Sequence, residues 1–149
     1  MKPCWRCSKP TRTQCRTNND SQSQGRTGAH QLSVFFMLFT SGQKQRPRLA
    51  QKVYAFMLDK EPILKYVQVV VHHKRLKSDN VTGWEYADDD EFMIEIDRSL
   101  SRNEYIKTLI HELIHVRQDL KDQKNDYLRE DEAFCLEEFY SWVFDATKT

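Results

Sequence analysis

The chain lacks most of the devices by which enzymes announce themselves in sequence. With four glycines among 149 residues, it has no glycine-rich phosphate loop, and no serine or cysteine sits in a nucleophile motif. No internal repeat appears. Its longest apolar run, Leu32-Ser-Val-Phe-Phe-Met-Leu-Phe39, is too short to span a bilayer. Four cysteines, three of them in the first 15 residues, supply no disulfide framework. Cys4-Trp-Arg-Cys7 has no second Cys-x-x-Cys to answer it, and Cys15 and His30 stand at no spacing common to zinc sites. Acid is also scarce at the start. Residues 1–50 hold nine bases and one acid, Asp20, a net +8, whereas the remaining residues hold 14 bases and 21 acids, a net −7.

That asymmetry divides the chain. Residues 1–31 are polar, basic and nearly free of aliphatic side chains, and cannot bury enough surface to offset their ordering entropy. Residues 1–42 are therefore expected to be a disordered basic head, or sequence upstream of a true start near Met37. Contact with nucleic acid is expected, if anywhere, only through this head, although a basic polar tail is more often solvated. Leu32–Phe39 has the character of a signal-peptide core, but the polar stretch before it is long and the cleavage signal poor. A cytoplasmic protein is the expectation, with secretion through Leu32–Phe39 as the alternative and no membrane span.

The informative stretch is Thr108-Leu-Ile-His111-Glu112-Leu-Ile-His115-Val-Arg-Gln118. On a helix, His111 and His115 lie one turn apart on one face, so two imidazoles can bind one zinc ion, with Glu112 placed to take a proton from the metal-bound water. Ile106, Leu109, Ile110, Leu113, Ile114, Val116 and Leu120 gather on the opposite arc. A solvated polar face would explain one histidine, but not the pair with a glutamate between them. Ser101-Arg-Asn-Glu104 has the capping-box form and should start the helix.

A catalytic zinc needs a third protein ligand. In the helical stretch Tyr127–Val143, the residues Leu128, Cys135, Leu136, Phe139, Trp142 and Val143 share one arc of the wheel, and Glu132 lies in its middle. A carboxylate on an apolar stripe is costly unless it is paired or binds a metal. Glu132 is therefore the expected third ligand, with an ion pair to Arg117 or another base as the alternative. Glu130, Glu137 and Glu138 are expected on the solvated side.

With these residues in place, the chain over roughly residues 47–145 resembles the small gluzincin metallopeptidases. It is most similar to compact SprT-like and IrrE/ImmA-like domains and to short phage-encoded proteins with a Leu-Ile-His-Glu-Leu-x-His-x-x-Gln helix. Ile114 stands where IrrE-like proteins often carry glycine, and no third histidine follows His115. The resemblance implies zinc held by His111, His115 and Glu132, Glu112 as general base, and a protein or peptide substrate lying along a sheet-edge strand, either Phe92–Ile96 or Trp84–Tyr86.

The remaining elements follow from pattern. Pro47 opens a helix that Glu61-Pro62 stops, and Ile63–Val71 reads as a buried strand. His72 and His73 are adjacent on that strand and point to opposite faces, which argues against a shared ion. Val81–Tyr86 and Phe92–Ile96 flank an acidic turn, Asp88–Asp90, and read as a hairpin. That turn lacks the glycine and distal glutamate of a calcium loop. The expected fold is α+β: a helix, a three-stranded, mainly antiparallel sheet, the His-Glu-x-x-His helix and a ligand helix, over residues 43–149. Tyr127 and Tyr140 are candidate oxyanion donors, though each reads better as a packing aromatic. The expected activity is zinc-dependent peptide-bond hydrolysis. The alternatives are a zinc-binding regulatory or protein-interaction module with little turnover, and a metal-free structural domain.

Overall fold

A computed structural model describes residues 38–42, 46–76, 81–88 and 91–147. The described residues fall within one unit, 33–149. The expectations for residues 1–37, including the cysteine cluster, and for Asp89 and Asp90 in the acidic turn lie outside them.

Helix α1 (Pro47–Lys60) begins on its proline and buries Ala50, Val53, Tyr54, Met57 and Leu58. Pro62 then sets a short 3-10 turn, Pro62–Tyr66, so strand β2 spans Gln68–Lys74 and starts later than the β-branched run suggests. Strands β3 (Gly83–Asp88) and β4 (Glu91–Asp97) form the expected antiparallel hairpin. Helix α2 (Arg102–Leu120) starts at the expected capping box, with the Ser101 side chain accepting from the Glu104 amide and Glu104 accepting from the Ser101 amide. Helix α3 (Asp126–Ala146) is capped by the Asn125 side chain, which accepts from the Leu128 amide.

The architecture is α+β, but among the described residues the sheet is four-stranded and mixed, in the order β1-β2-β4-β3. The expected three-stranded, mainly antiparallel sheet is thereby corrected. Strand β1 (Leu38–Gly42) pairs parallel to β2, and β2 parallel to β4, leaving β3–β4 as the antiparallel pair. β1 lies in the stretch expected to stand apart from the fold. Gly42 shows why it belongs there. Its φ is +89°, and a Cβ at this position would lie 2.1 Å from the His73 carbonyl oxygen, so only glycine allows this pairing. His73 reinforces the strand from the core. Its Nδ1–H donates to the Ser41 carbonyl (3.0 Å), and its Nε2 accepts from the Tyr105 hydroxyl of α2 (2.9 Å). The neighbouring His72 points the other way and meets the Ser41 hydroxyl.

One face of the sheet carries Val69, Val71, Phe92, Ile94 and Ile96 and meets α1 and α2, whose Met57, Ile106, Leu109, Ile110, Leu113 and Ile114 complete the core. α3 packs on the far side of α2. Its inward line is Glu130, Ala133, Glu137, Tyr140 and Phe144, within roughly 80° of the wheel, with Ala133 fully buried and Phe144 nearly so. Much of the expected stripe faces outward instead: Leu128 is 55% exposed, Phe139 55% and Trp142 69%, whereas Leu136 packs partly against the core. No helix among the described residues is long and apolar enough to cross a membrane.

Because β1 shares a full parallel register with β2, a chain beginning at Gln43 should melt about 5 °C or more below one beginning at Ser33, since each lost kcal/mol shifts a domain of this size by several degrees. Coincident thermal melts would show that β1 adds nothing to stability.

Candidate metal centre

The capping box and the apolar repeat of α2 fix where its histidines point. The face carrying them is not solvated. Thr108, Glu112, His115, Arg117 and Gln118 are all buried, covered by β3 on one side and α3 on the other. At one end Gly83 of β3 permits the approach: a Cβ there would meet Thr108 Cγ2 at 2.6 Å and Glu112 Oε1 at 3.2 Å.

The two imidazoles converge. His111 Nε2 and His115 Nε2 are 3.0 Å apart. Glu130 of α3 reaches both, with Oε2 at 3.6 Å from His111 Nε2 and Oε1 at 3.4 Å from His115 Nε2. Among the described residues, His111, His115 and Glu130 form the group able to hold a metal ion, their ligand atoms lying within 4.8 Å of one another. Each remaining ring nitrogen is occupied. His111 Nδ1 donates to Glu137 Oε2 (2.7 Å), and His115 Nδ1 meets Gln118 Oε1 (2.8 Å). Two imidazole nitrogens and a carboxylate with their outer edges held suit a tetrahedral zinc ion with one position left over. The Phe134 ring, 5.0 Å from that of His111, covers the outer side.

Glu132, the expected third ligand, is not brought to this point. Its Oε2 lies 2.6 Å from Arg117 Nη2 and accepts from Gln118 Nε2 (2.7 Å). The wheel argument chose the most apolar arc of α3 as its inner side. The helix docks on nearly the opposite arc, because α2 offers imidazoles and small, close-packing contacts rather than an apolar groove. Glu130 and Glu137, expected in solvent, are therefore the carboxylates on the histidines. The signal that could have found them is Ala133, whose i−3 and i+4 neighbours are Glu130 and Glu137.

Proton affinities follow from this crowding in the absence of metal. Burial works against a charged His111, but hydrogen bonds to Glu130 and Glu137 and the nearby carboxylate charges outweigh it and raise the imidazolium to about 10. Burial and the His111 charge lower His115, so that it is neutral. The Glu130 carboxyl is lowered, chiefly by its bond to His111. Burial pushes Glu112 up to about 8; the His111 charge opposes the rise, while Glu85, Glu130 and Glu137 add to it. Glu132 is lowered, because Arg117 and Gln118 together overcome the cost of its burial.

No protein-family model matches the chain, and no curated protein or solved structure matches it either.

Two outcomes are expected. Glu130→Gln should weaken zinc binding tenfold or more, because a neutral amide is a poorer ligand, while Glu132→Gln should change it less than threefold. A chelator competition titration that reverses this ranking would return the third-ligand role to Glu132. The second concerns pH. The metal-free folded chain holds a His111 proton up to about 10, whereas the unfolded chain releases it near 6.5. The stability this supplies is complete below 6.5 and is lost as the pH rises toward 10. Glu112, raised from 4.5 to about 8, adds a fall in the same direction across that lower range. The melting temperature of chelator-treated protein should therefore drop between pH 6.5 and 9.5; a flat profile would contradict the paired state of His111.

Proposed function

We propose that this chain is a zinc-dependent hydrolase of peptide bonds, with His111, His115 and Glu130 as the zinc-holding residues and Glu112 as the general base. The observation that carries the reading is the convergence of both imidazole Nε2 atoms and the Glu130 carboxylate on one point, on the helix that also bears Glu112. The resemblance of the Leu-Ile-His-Glu-Leu-Ile-His segment to the gluzincin helix supports the same conclusion. Bound there, zinc would supply a Lewis acid for the scissile carbonyl and a water acidified to about pH 7.

The chain's own groups supply the rest. Glu112 is buried on the same helix, next to His111, and is placed to take a proton from the attacking water and pass it to the departing amine. Glu137 and Gln118 hold the imidazoles in one orientation. β3 is an edge strand of the sheet and runs beside Glu112, so its open side offers main-chain pairing to an extended peptide. Of the two candidate strands, Trp84–Tyr86 is the one at an edge; Phe92–Ile96 belongs to β4, which is flanked on both sides. Tyr140 donates to Glu61 (3.1 Å), an engagement that turns its hydroxyl away from an oxyanion role.

A second reading, a zinc-binding module that recruits a partner with little turnover, draws on the outward apolar stripe of α3. Glu112 separates the two. Glu112→Gln should lower cleavage of a peptide library by at least about 100-fold, the usual scale of a lost general base, with zinc content unchanged. Equal and negligible cleavage by both proteins, each with full zinc, would favour the recruiting module.

A further inference from the structure

Glu132 lies off the metal point, yet its contacts lead back to it. The Gln118 amide nitrogen has two acceptors, the Arg129 carbonyl at 3.0 Å and Glu132 Oε2 at 2.7 Å. With both N–H groups so engaged, the amide has one orientation, and its oxygen must face His115 Nδ1 at 2.8 Å. A carbonyl oxygen only accepts, so Nδ1 carries the His115 proton. Nε2 then presents its lone pair toward His111 and Glu130. Arg117 in turn holds Glu132, its Nη2 2.6 Å from Oε2.

We infer that Glu132 is a positioning residue: through Gln118 it fixes the tautomer of His115 that can bind a metal. The two histidines are thus steered by different means. His111 leans directly on a carboxylate, Glu137, whereas His115 leans on a neutral amide that a carboxylate orients from behind. Without Glu132 the amide loses an anchor and can rotate to offer N–H to Nδ1. Nδ1 must then accept, the proton moves to Nε2, and the metal-binding lone pair is lost. Glu130, 3.4 Å from Nε2, attracts a proton to that same nitrogen, so the relay works against a real competitor.

The metal role of this relay rests on the zinc reading above; the tautomer it sets does not, and the tests separate them. The first test is imidazole nitrogen NMR of metal-free protein in a His111→Ala background, which removes the other influence on His115 Nε2. His115 should be protonated at Nδ1, and adding Glu132→Ala should move the proton largely to Nε2, while Glu132→Gln, which keeps an acceptor oxygen, should restore Nδ1–H. An unchanged His115 tautomer in the Glu132→Ala protein would overturn the inference whether or not zinc binds. If losing Glu132 strands the buried Arg117 charge and unfolds the chain, the same comparison is made with Arg117→Met and Glu132→Ala together, which removes the ion pair as a unit.

The second test is a zinc-affinity cycle in the otherwise unaltered chain. Glu132→Ala should weaken binding by about 10- to 100-fold, the scale of a lost outer partner of a metal-ligating histidine. In a Gln118→Met background the same substitution should change affinity less than twofold, because the amide through which it acts is gone. An equal loss in both backgrounds would mean that Glu132 acts only through the Arg117 charge, and would overturn the relay.

Discussion

The constraint on which the structure depends is the burial of the polar face of α2. Withdrawing Thr108, Glu112, His115, Arg117 and Gln118 from water is costly unless they find partners; Arg117 has Glu132 in ion-pair range, although its Nε and Nη2 make no hydrogen bond. α3 supplies most of the answers. Glu137 meets His111, Glu130 spans both imidazoles, Glu132 meets Arg117 and Gln118, and the Arg129 carbonyl takes the second Gln118 N–H. The helix pair is held by polar matching across its middle and by Ala133 and Phe144 along its length, with Phe144 edge-on to Phe56 of α1.

This arrangement joins stability and chemistry in one set of residues. The contacts that satisfy the buried face also hold the two Nε2 atoms together, so a metal would enter a site whose geometry already exists. Without the metal, a proton takes its place. The His111 imidazolium is favoured by Glu130 and Glu137 and lies 3.0 Å from the neutral His115 ring. That charge is what lets two carboxylates and two imidazoles share so small a volume.

The opposite side of α2 sets the reach of the site. Gly83 lets β3 pass against Thr108 and Glu112, and the order β1-β2-β4-β3 leaves that strand at an edge. Trp84 and Tyr86 point to the other face of the sheet, where the Trp84 indole donates to Glu95 at 2.6 Å.

The sequence by itself determined the elements whose cause is local. The Ser101 capping box and the apolar repeat place α2, Pro47 and Pro62 bound α1, and the alternation around the acidic turn makes the β3–β4 hairpin. The His111–Glu112–His115 face follows from helix geometry alone. What only the tertiary structure decided depends on partners distant in the chain. β1 is five residues long and weakly patterned, and it is a strand because β2 receives it and Gly42 clears the His73 carbonyl. The rotation of α3 could not be read from its own composition, since its most apolar arc, Leu128, Phe139 and Trp142, lies outside. That rotation was set by the buried imidazoles and guanidinium of α2, which draw carboxylates and small residues toward them. It put Glu130, and not Glu132, beside the two imidazoles, because electrostatic demand on the partner helix outweighed the burial of a few apolar side chains.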